Sequence, residues 1–340
     1  MTIQETIAHI VAGCTLTRKQ ASTAMKILMS GQATPAQAAA FLTALRMRGE
    51  TVEEITGFAE TMRALATPVR ATRTPLVDTC GTGGDRSGTF NISTTAAFVV
   101  AGTGVAVAKH GNRSASSKCG SADVLEELGV RIDCSPDRVA RCIDEAGIGF
   151  LFARSFHSAM KHVGPVRAEL AMRTVFNVLG PLTNPAGASG QVMGVFDAEL
   201  TDKLANVLLG LGVRHAFVVA GLDGLDELSL TGPSRVAEAK NGVVSVYEVS
   251  PEQFGLDSCR VEDLRAGEAA ENAEILKSVL QGRSGPHRDI TLLNAAPAIV
   301  AGGGADSLEE GMAKARMSIG SGAAMAKLEA LITLSRGAEE

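Results

Sequence analysis

Five short apolar runs, Leu76 to Thr79, Val105 to Ala108, Ile148 to Phe152, Gln191 to Val195 and Ala216 to Ala220, are mostly separated by stretches of helical periodicity. Parallel strands need a long crossover to join them, so this alternation predicts an α/β fold with a mostly parallel central sheet and helices on its faces. In the C-terminal third, "SRVAEAKNGVVSVYEV" sets Asn241-Gly242 between two alternating runs, a hairpin signal that adds an antiparallel edge. From Ser307 onward, behind a Ser307 and Glu310 capping box, the chain returns to helix.

The first seventy residues differ in texture. Capping boxes at Thr17 with Gln20, Thr34 with Gln37 and Thr51 with Glu54 precede helical periodicity, and Pro35 stands where a first-turn proline belongs. The stretch "ATPVRATRTP", residues 66 to 75, then reads as a domain boundary. A length of 340 residues suits one large domain or two unequal ones.

A net charge of -5 provides no global basic field for nucleic acid, so affinity for anions must come from local loops. The six cysteines show neither CxxC pairing nor zinc-finger spacing, which argues against a disulfide framework and for a reducing cytosol. "MTIQETIAHIVAG" lacks the features of a secretory leader, and "AFVVAGTGVAVA" is glycine-broken and too short to span a bilayer. A cytoplasmic protein with no membrane partner is expected.

Three loops follow candidate strands. In "DTCGTGGD", the glycines at 81, 83 and 84 remove side chains where backbone amides can approach anionic oxygens, and a helix opening near Ser93 adds a positive dipole end. A tight turn needing positive φ explains a lone glycine cluster equally well. "KHGNRSASSKCGS", residues 109 to 121, sets Lys109, Arg113 and Lys118 among Asn112, Ser114, Ser116, Ser117 and Ser121, a composition suited to a phosphate. "GLDGLDELSL" carries Asp223, Asp226 and Glu227, acids suited to Mg²⁺ bridging protein and phosphate oxygens. Loops at the carboxyl ends of strands line the ligand crevice of an open α/β sheet, so the three reinforce one another.

A fourth stretch holds His157, Lys161, His162 and Arg167, followed by the turn Gly180-Pro181-Leu182-Thr183-Asn184-Pro185. No HExxH and no GxSxG occurs, and neither Cys80 nor Cys119 has a base partner in the sequence. An arginine here is suited to a carboxylate through a bidentate pair.

"GTGGD", "FNIST", "KHGNRS", "VRAELAMRTVFNVLGPLTNP" and "GLDGLDELSL", in this order and across nearly the whole chain, resemble the anthranilate phosphoribosyltransferase family. The resemblance implies a homodimer of the nucleoside phosphorylase-like fold, with a helical domain over 1–70, helices from about 165–190 packing on it, and an α/β domain over 71–340. It implies the substrates 5-phosphoribosyl 1-diphosphate and anthranilate, with Mg²⁺. By that resemblance the donor is held by Gly81, Gly84, Asp85, Thr89, Asn91, Ile92, Ser93 and Thr94, by Lys109, His110, Gly111, Asn112, Arg113, Ser114, Ala115, Ser116 and Ser117, and by Ser121. Ser93, Asp226 and Glu227 match metal positions. Gly81, Asn112 and Arg167 match anthranilate contacts, His110 lies beside the amine in a positioning role, and the "NVLGPLTNP" turn forms part of the anthranilate channel. Cys80 and Cys119 depart from the residues expected at their positions, and Cys119 is expected to make the basic loop sensitive to oxidation.

Two rivals are weighed. A pyrimidine nucleoside phosphorylase would lack the acid pair, and a nucleic-acid-binding relative would carry basic surface helices and degraded motifs. Here the motifs are whole and the net charge is negative.

Overall fold

The computed structural model describes residues 1–85, 87–114 and 118–337. Its first four helices are α1 (Ile3–Val11), α2 (Arg18–Met29), α3 (Pro35–Arg48) and α4 (Val52–Leu65). The three expected capping boxes start α2, α3 and α4, and a fourth, Thr2 with Glu5, starts α1. Glu54 does more than cap. Fully buried, it accepts from the amides of Leu16 at 2.8 Å and Thr51 at 2.9 Å and pairs with Arg48 at 2.5 Å, which ties the lead into α2 to the start of α4.

The sheet has seven strands in the order β3-β2-β1-β4-β5-β6-β7. β1 (Leu76–Gly81), β2 (Ala106–Gly111), β3 (Ile148–Phe152), β4 (Gly190–Gly194) and β5 (His215–Gly221) are parallel. β6 (Ser234–Lys240) and β7 (Val243–Val249) form the antiparallel edge. Asn241 at φ 52 and Gly242 at φ 80 make their tight turn, because a two-residue hairpin loop with the twist of the strands needs positive φ at both positions.

Between β1 and β2 runs α5 (Ile92–Gly102), and between β2 and β3 run α6 (Ser121–Glu127) and α7 (Pro136–Ala146). The β3–β4 connection contains α8 (Ala153–Phe156), α9 (Gly164–Leu170) and α10 (Phe176–Leu179), and α11 (Leu200–Gly210) joins β4 to β5. After the hairpin come α12 (Ala269–Leu280), α13 (Pro286–Ala301), α14 (Leu308–Gly320) and α15 (Ala323–Arg336). Ser307 caps α14, but the Glu310 carboxylate takes the amide of Asp306, so this cap is one-sided and not the expected box.

Strand residues alternate between opposite faces of the sheet, which pack into three apolar cores, Leu76, Ala108 and Leu151 lying in one of them. Val77, Val107, Val192 and Phe217 pack with α5 and α13, while Met193, Ala216, Val218 and Ala220 join Leu28, Phe41 and Phe58 of the bundle. Val163, Val175, Phe176, Leu179 and Leu182 belong to the second core, so the β3–β4 connection packs with the bundle. Among the described residues no helix is long and apolar enough to cross a membrane.

Candidate functional site

β1 leads by way of α5 to β2 on one side, whereas β4, its other neighbour, leads to β5 on the opposite side. Connections that diverge from adjacent strands open a crevice at their carboxyl ends. Gly81 and Gly194 end β1 and β4 and lie in register there. A Cβ on Gly81 would stand 2.7 Å from Asp226 Oδ2, and one on Gly194 would collide with the Asp226 carbonyl oxygen. Bare strand ends therefore let the loop after β5 close over β1.

That loop is fixed from several sides. The Gly83 amide donates to Asp226 Oδ2 at 2.8 Å, and both the amide (3.1 Å) and hydroxyl (2.5 Å) of Ser93 donate to Glu227 Oε1. The amino end of α5 thus points at Glu227. Asn294 of α13 bonds both the amide and the carbonyl of Leu228, and Asp223 accepts from Ser229, Thr231 and the Leu225 amide. Of the three acids in the motif, Asp223 closes the loop and the other two face the crevice.

Burial, then the charge of Asp226, pushes the Glu227 carboxyl up to about 8. Burial, then the charge of Asp85, raises Asp226 as well. Nearby Lys109 offsets only part of this for Glu227. Two acids with this proton affinity beside backbone donors fit a divalent cation, whose charge would replace the protons. Among the described residues no three His, Cys, Asp or Glu side chains form a group that could hold a metal ion.

The other candidates fall in three groups. Asp85 accepts from Ser87, Thr89 bridges to Arg265, and Asn91 precedes α5 and bonds Asn272 and Cys119. Ile92 and Thr94 are only 2% exposed. In the basic loop, buried Lys109 donates to the Thr79 carbonyl at 2.5 Å, and Arg113 pairs with Asp123 at 2.8 Å and Glu126 at 2.6 Å. The Arg113 charge is matched by these two acids of α6. Asp123 also takes the amides of Ser114 and Gly120, and Ser121 Oγ donates to the Asn112 carbonyl, so the loop is braced at both ends. Gly111 leaves the space that Ser121 Oγ fills. Ala115, Ser116 and Ser117 lie outside the described residues.

On the crevice's far wall, the His110 ring bonds the Gly180 backbone while its Nε2, buried, has no partner among the described residues. His157 repeats the pattern against Thr183, 5.2 Å away between ring centroids. Burial, then the neighbouring imidazole, drives His110 down to about 3, and burial drives His157 down to about 4. Both rings are neutral, each with a free nitrogen lone pair. Arg167 on α9 lies 5.1 Å over the Phe176 ring, and its guanidinium makes no hydrogen bond or ion pair among the described residues.

Two family models match the chain, the glycosyl transferase family a/b domain over residues 73–325 and the helical bundle domain over 4–66. The anthranilate phosphoribosyltransferase of Moorella thermoacetica is 56% identical over 326 residues, which cover 96% of each chain. That of Thermus thermophilus superposes with a TM-score of 0.92 at 47% identity, over 97% of this chain and 99% of its own. The chain belongs to the anthranilate phosphoribosyltransferase family. The Saccharomyces cerevisiae member, solved in complex with PRPP and Mg, is 30% identical with a TM-score of 0.90 over 98% of both chains.

Two further residues that no motif reading assigned, Asp78 and Arg173, lie against the glycine loop and the strand ends of this anthranilate phosphoribosyltransferase family member. Asp78 is fully buried, and burial pushes it up to about 6 against the pull of Lys109. An acid inside the apolar run "PLVDTC" was the available signal. Arg173 lies 3.7 Å over the Phe196 ring and donates to the carbonyls of Gly83 and Gly84, which clamps the glycine loop. Its conventional composition gave no signal. Cys119 departs from expectation: burial pushes its thiol up to about 11, so at neutral pH it is not the thiolate that oxidation requires.

Proposed function

We infer that this crevice transfers the 5-phosphoribosyl group of 5-phosphoribosyl 1-diphosphate to the amine of anthranilate. The products are N-(5-phosphoribosyl)anthranilate and diphosphate, the second step from chorismate in tryptophan biosynthesis. One observation carries the site assignment: Asp226 and Glu227, both of raised proton affinity, meet the glycine loop and the amino end of α5 at the β1–β4 divergence. Asp226, Glu227 and Ser93 would hold Mg²⁺, which when bound neutralises the diphosphate leaving group.

The remaining assignments follow the sequence. Gly81, Gly84, Asp85, Thr89, the segment from Asn91 to Thr94, the loop from Lys109 to Ser117, and Ser121 take the donor. Asn112 and Arg167 take anthranilate, with Gly81 close to both. Backbone amides at the glycine loop and the α5 dipole stabilise negative charge as it builds on the leaving oxygens. The guanidinium of Arg167, over the Phe176 ring and without a hydrogen bond or ion pair among the described residues, supports a bidentate hold on the anthranilate carboxylate, which aims the amine at C1 of the ribose. His110, neutral and weakly basic, accepts a hydrogen bond through Nε2 and orients the amine. Aniline-type amines are uncharged at pH 7, so attack does not wait for a strong base.

Residues 1–70 act in this reading as a helical unit joined by the 165–190 segment, which packs in the bundle core with Val175, Phe176, Leu179 and Leu182, and 71–340 as the donor-binding unit. The chain works as a cytoplasmic homodimer, without nucleic acid or membrane partners. Val11 on α1 and Met47 on α3, both exposed, offer apolar surface for a second copy. The test is anthranilate fluorescence in the presence of the purified chain. Signal should fall only when donor and Mg²⁺ are both supplied; an unchanged signal, or a fall in excess chelator, would overturn the proposal.

A further inference from the structure

The turn 180–185 is held by side chains from three directions. Arg63 of α4 donates to the Leu182 carbonyl at 2.7 Å, Gln191 of β4 donates to the Pro181 carbonyl at 2.6 Å, and Asn184 reaches back into the sheet. There the Asn184 amide donates to Asp78 Oδ2 at 2.8 Å and to the Ala108 carbonyl at 2.7 Å, while Asp78 Oδ1 takes the amide of His110 at 3.0 Å. Asp78 is 0% exposed and Asn184 4%. A carboxylate placed this deep is costly unless it is hydrogen-bonded, and its position on β1 otherwise belongs to apolar neighbours such as Leu76. Its two bonds join the end of β2, where the basic loop starts, to the turn that carries the His110 and His157 backbone partners.

We propose that Asp78, through Asn184, is a positioning residue that sets the distance between the donor-binding loop after β2 and the anthranilate-facing turn. This deepens the function proposed above and rests on it. The brace joins the two walls from below without touching either substrate. Its loss should therefore misalign the amine and C1 while each substrate still binds its own wall. Misplacement by about 1 Å can cost on the order of 100-fold in rate, so the effect belongs in kcat.

Asp78→Asn tests this with nearly unchanged volume. The new amide keeps an oxygen for the His110 amide but turns a donor toward the Asn184 donor. We expect kcat per folded molecule to drop about 30-fold, with both KM values within about threefold of wild type. Adding Asn184→Asp restores an acceptor opposite the new donor and should recover part of the loss, limited by the Ala108 carbonyl it would then face. A residue that matters only for folding would instead lower the folded fraction and leave kcat per folded molecule intact. If Asp78→Asn does not fold, Asn184→Ser withdraws the same bond from the other side and is held to the same criterion. Hydrogen exchange at the His110 amide gives a readout independent of turnover, and it should accelerate at least about tenfold in the variant. A wild type without transferase activity would refute the function while exchange still decided the brace. Wild-type kcat and wild-type exchange in the variant would overturn the brace itself.

Discussion

The two ends of the sheet treat a half-buried acid and a buried one in opposite ways. At the amino end of β5, Glu238 accepts from His215 at 2.8 Å and from Tyr247 at 3.0 Å, and these bonds, led by that of His215, hold it below the usual carboxylate range despite burial. At the carboxyl end, Glu227 has the Ser93 donors and the Lys109 charge, yet burial and Asp226 raise it to about 8. Both sites contain hydrogen-bonded acids, so satisfaction of oxygens alone does not separate them. What separates them first is burial, near complete at Glu227 and partial at Glu238, and only then charge. The Glu238 site has an imidazole and a phenol built in as hydrogen-bond partners, and the Asp226–Glu227 site has a second negative group where a cation would go.

The sharpest way to break the comparison is to remove the charge at the crevice. Asp226→Asn with Glu227→Gln should lower Mg²⁺-dependent kcat/KM by at least about 100-fold, measured with both substrates varied. Near-normal turnover at ordinary magnesium would show that these acids resemble Glu238 after all.

A smaller effect is expected in thermal melts of the wild type. Glu227 ionises near the ordinary glutamate value of 4.5 when unfolded and at about 8 when folded, so the folded chain binds the extra proton between those values. By linkage, this group's contribution falls as pH rises through that window and is flat above it. Mg²⁺ competes with that proton. Its stabilisation at saturating concentration should therefore grow from under about 1 °C near pH 5.5 to about 3 °C near pH 8.5. A pH-independent shift would place the cation elsewhere.

The smallest expected effect lies at the opposite end. Glu238→Gln loses the charged half of its bonds to His215 and Tyr247 and should cost about 1 kcal/mol, read from denaturant melts, because the site is partly solvated. Its kcat and both KM values should stay at wild-type levels; a kinetic change would mean that the two ends communicate.

Much of the fold was legible because its signals are local. All five parallel strands and the hairpin stand where their apolar patterns put them, and the three bundle capping boxes start their helices. The strand ends were less legible. β1 and β2 continue to Gly81 and Gly111, beyond the runs that stop at Thr79 and Ala108. Lys109 and His110 look like loop residues in sequence, but the Lys109 amine is absorbed by the Thr79 carbonyl and the His110 amide by Asp78. The motif grouped Asp223 with Asp226 and Glu227 but carried no sign of their different contacts. Asp223 and Asp123 bind their own loops, and Arg113, one of the cations suited to phosphate by composition, is paired with Asp123 and Glu126.

The sequence by itself determined where helices start, where strands alternate, which glycines can turn and which family the motifs resemble. Those properties depend on φ preferences, caps and periodicity within a few residues. Only the tertiary structure decided which charges are already spent. Gly83 meets Asp226 across 143 positions and Ser93 meets Glu227 across 134, and burial at such meetings shifts an acid far more than its chain neighbours do.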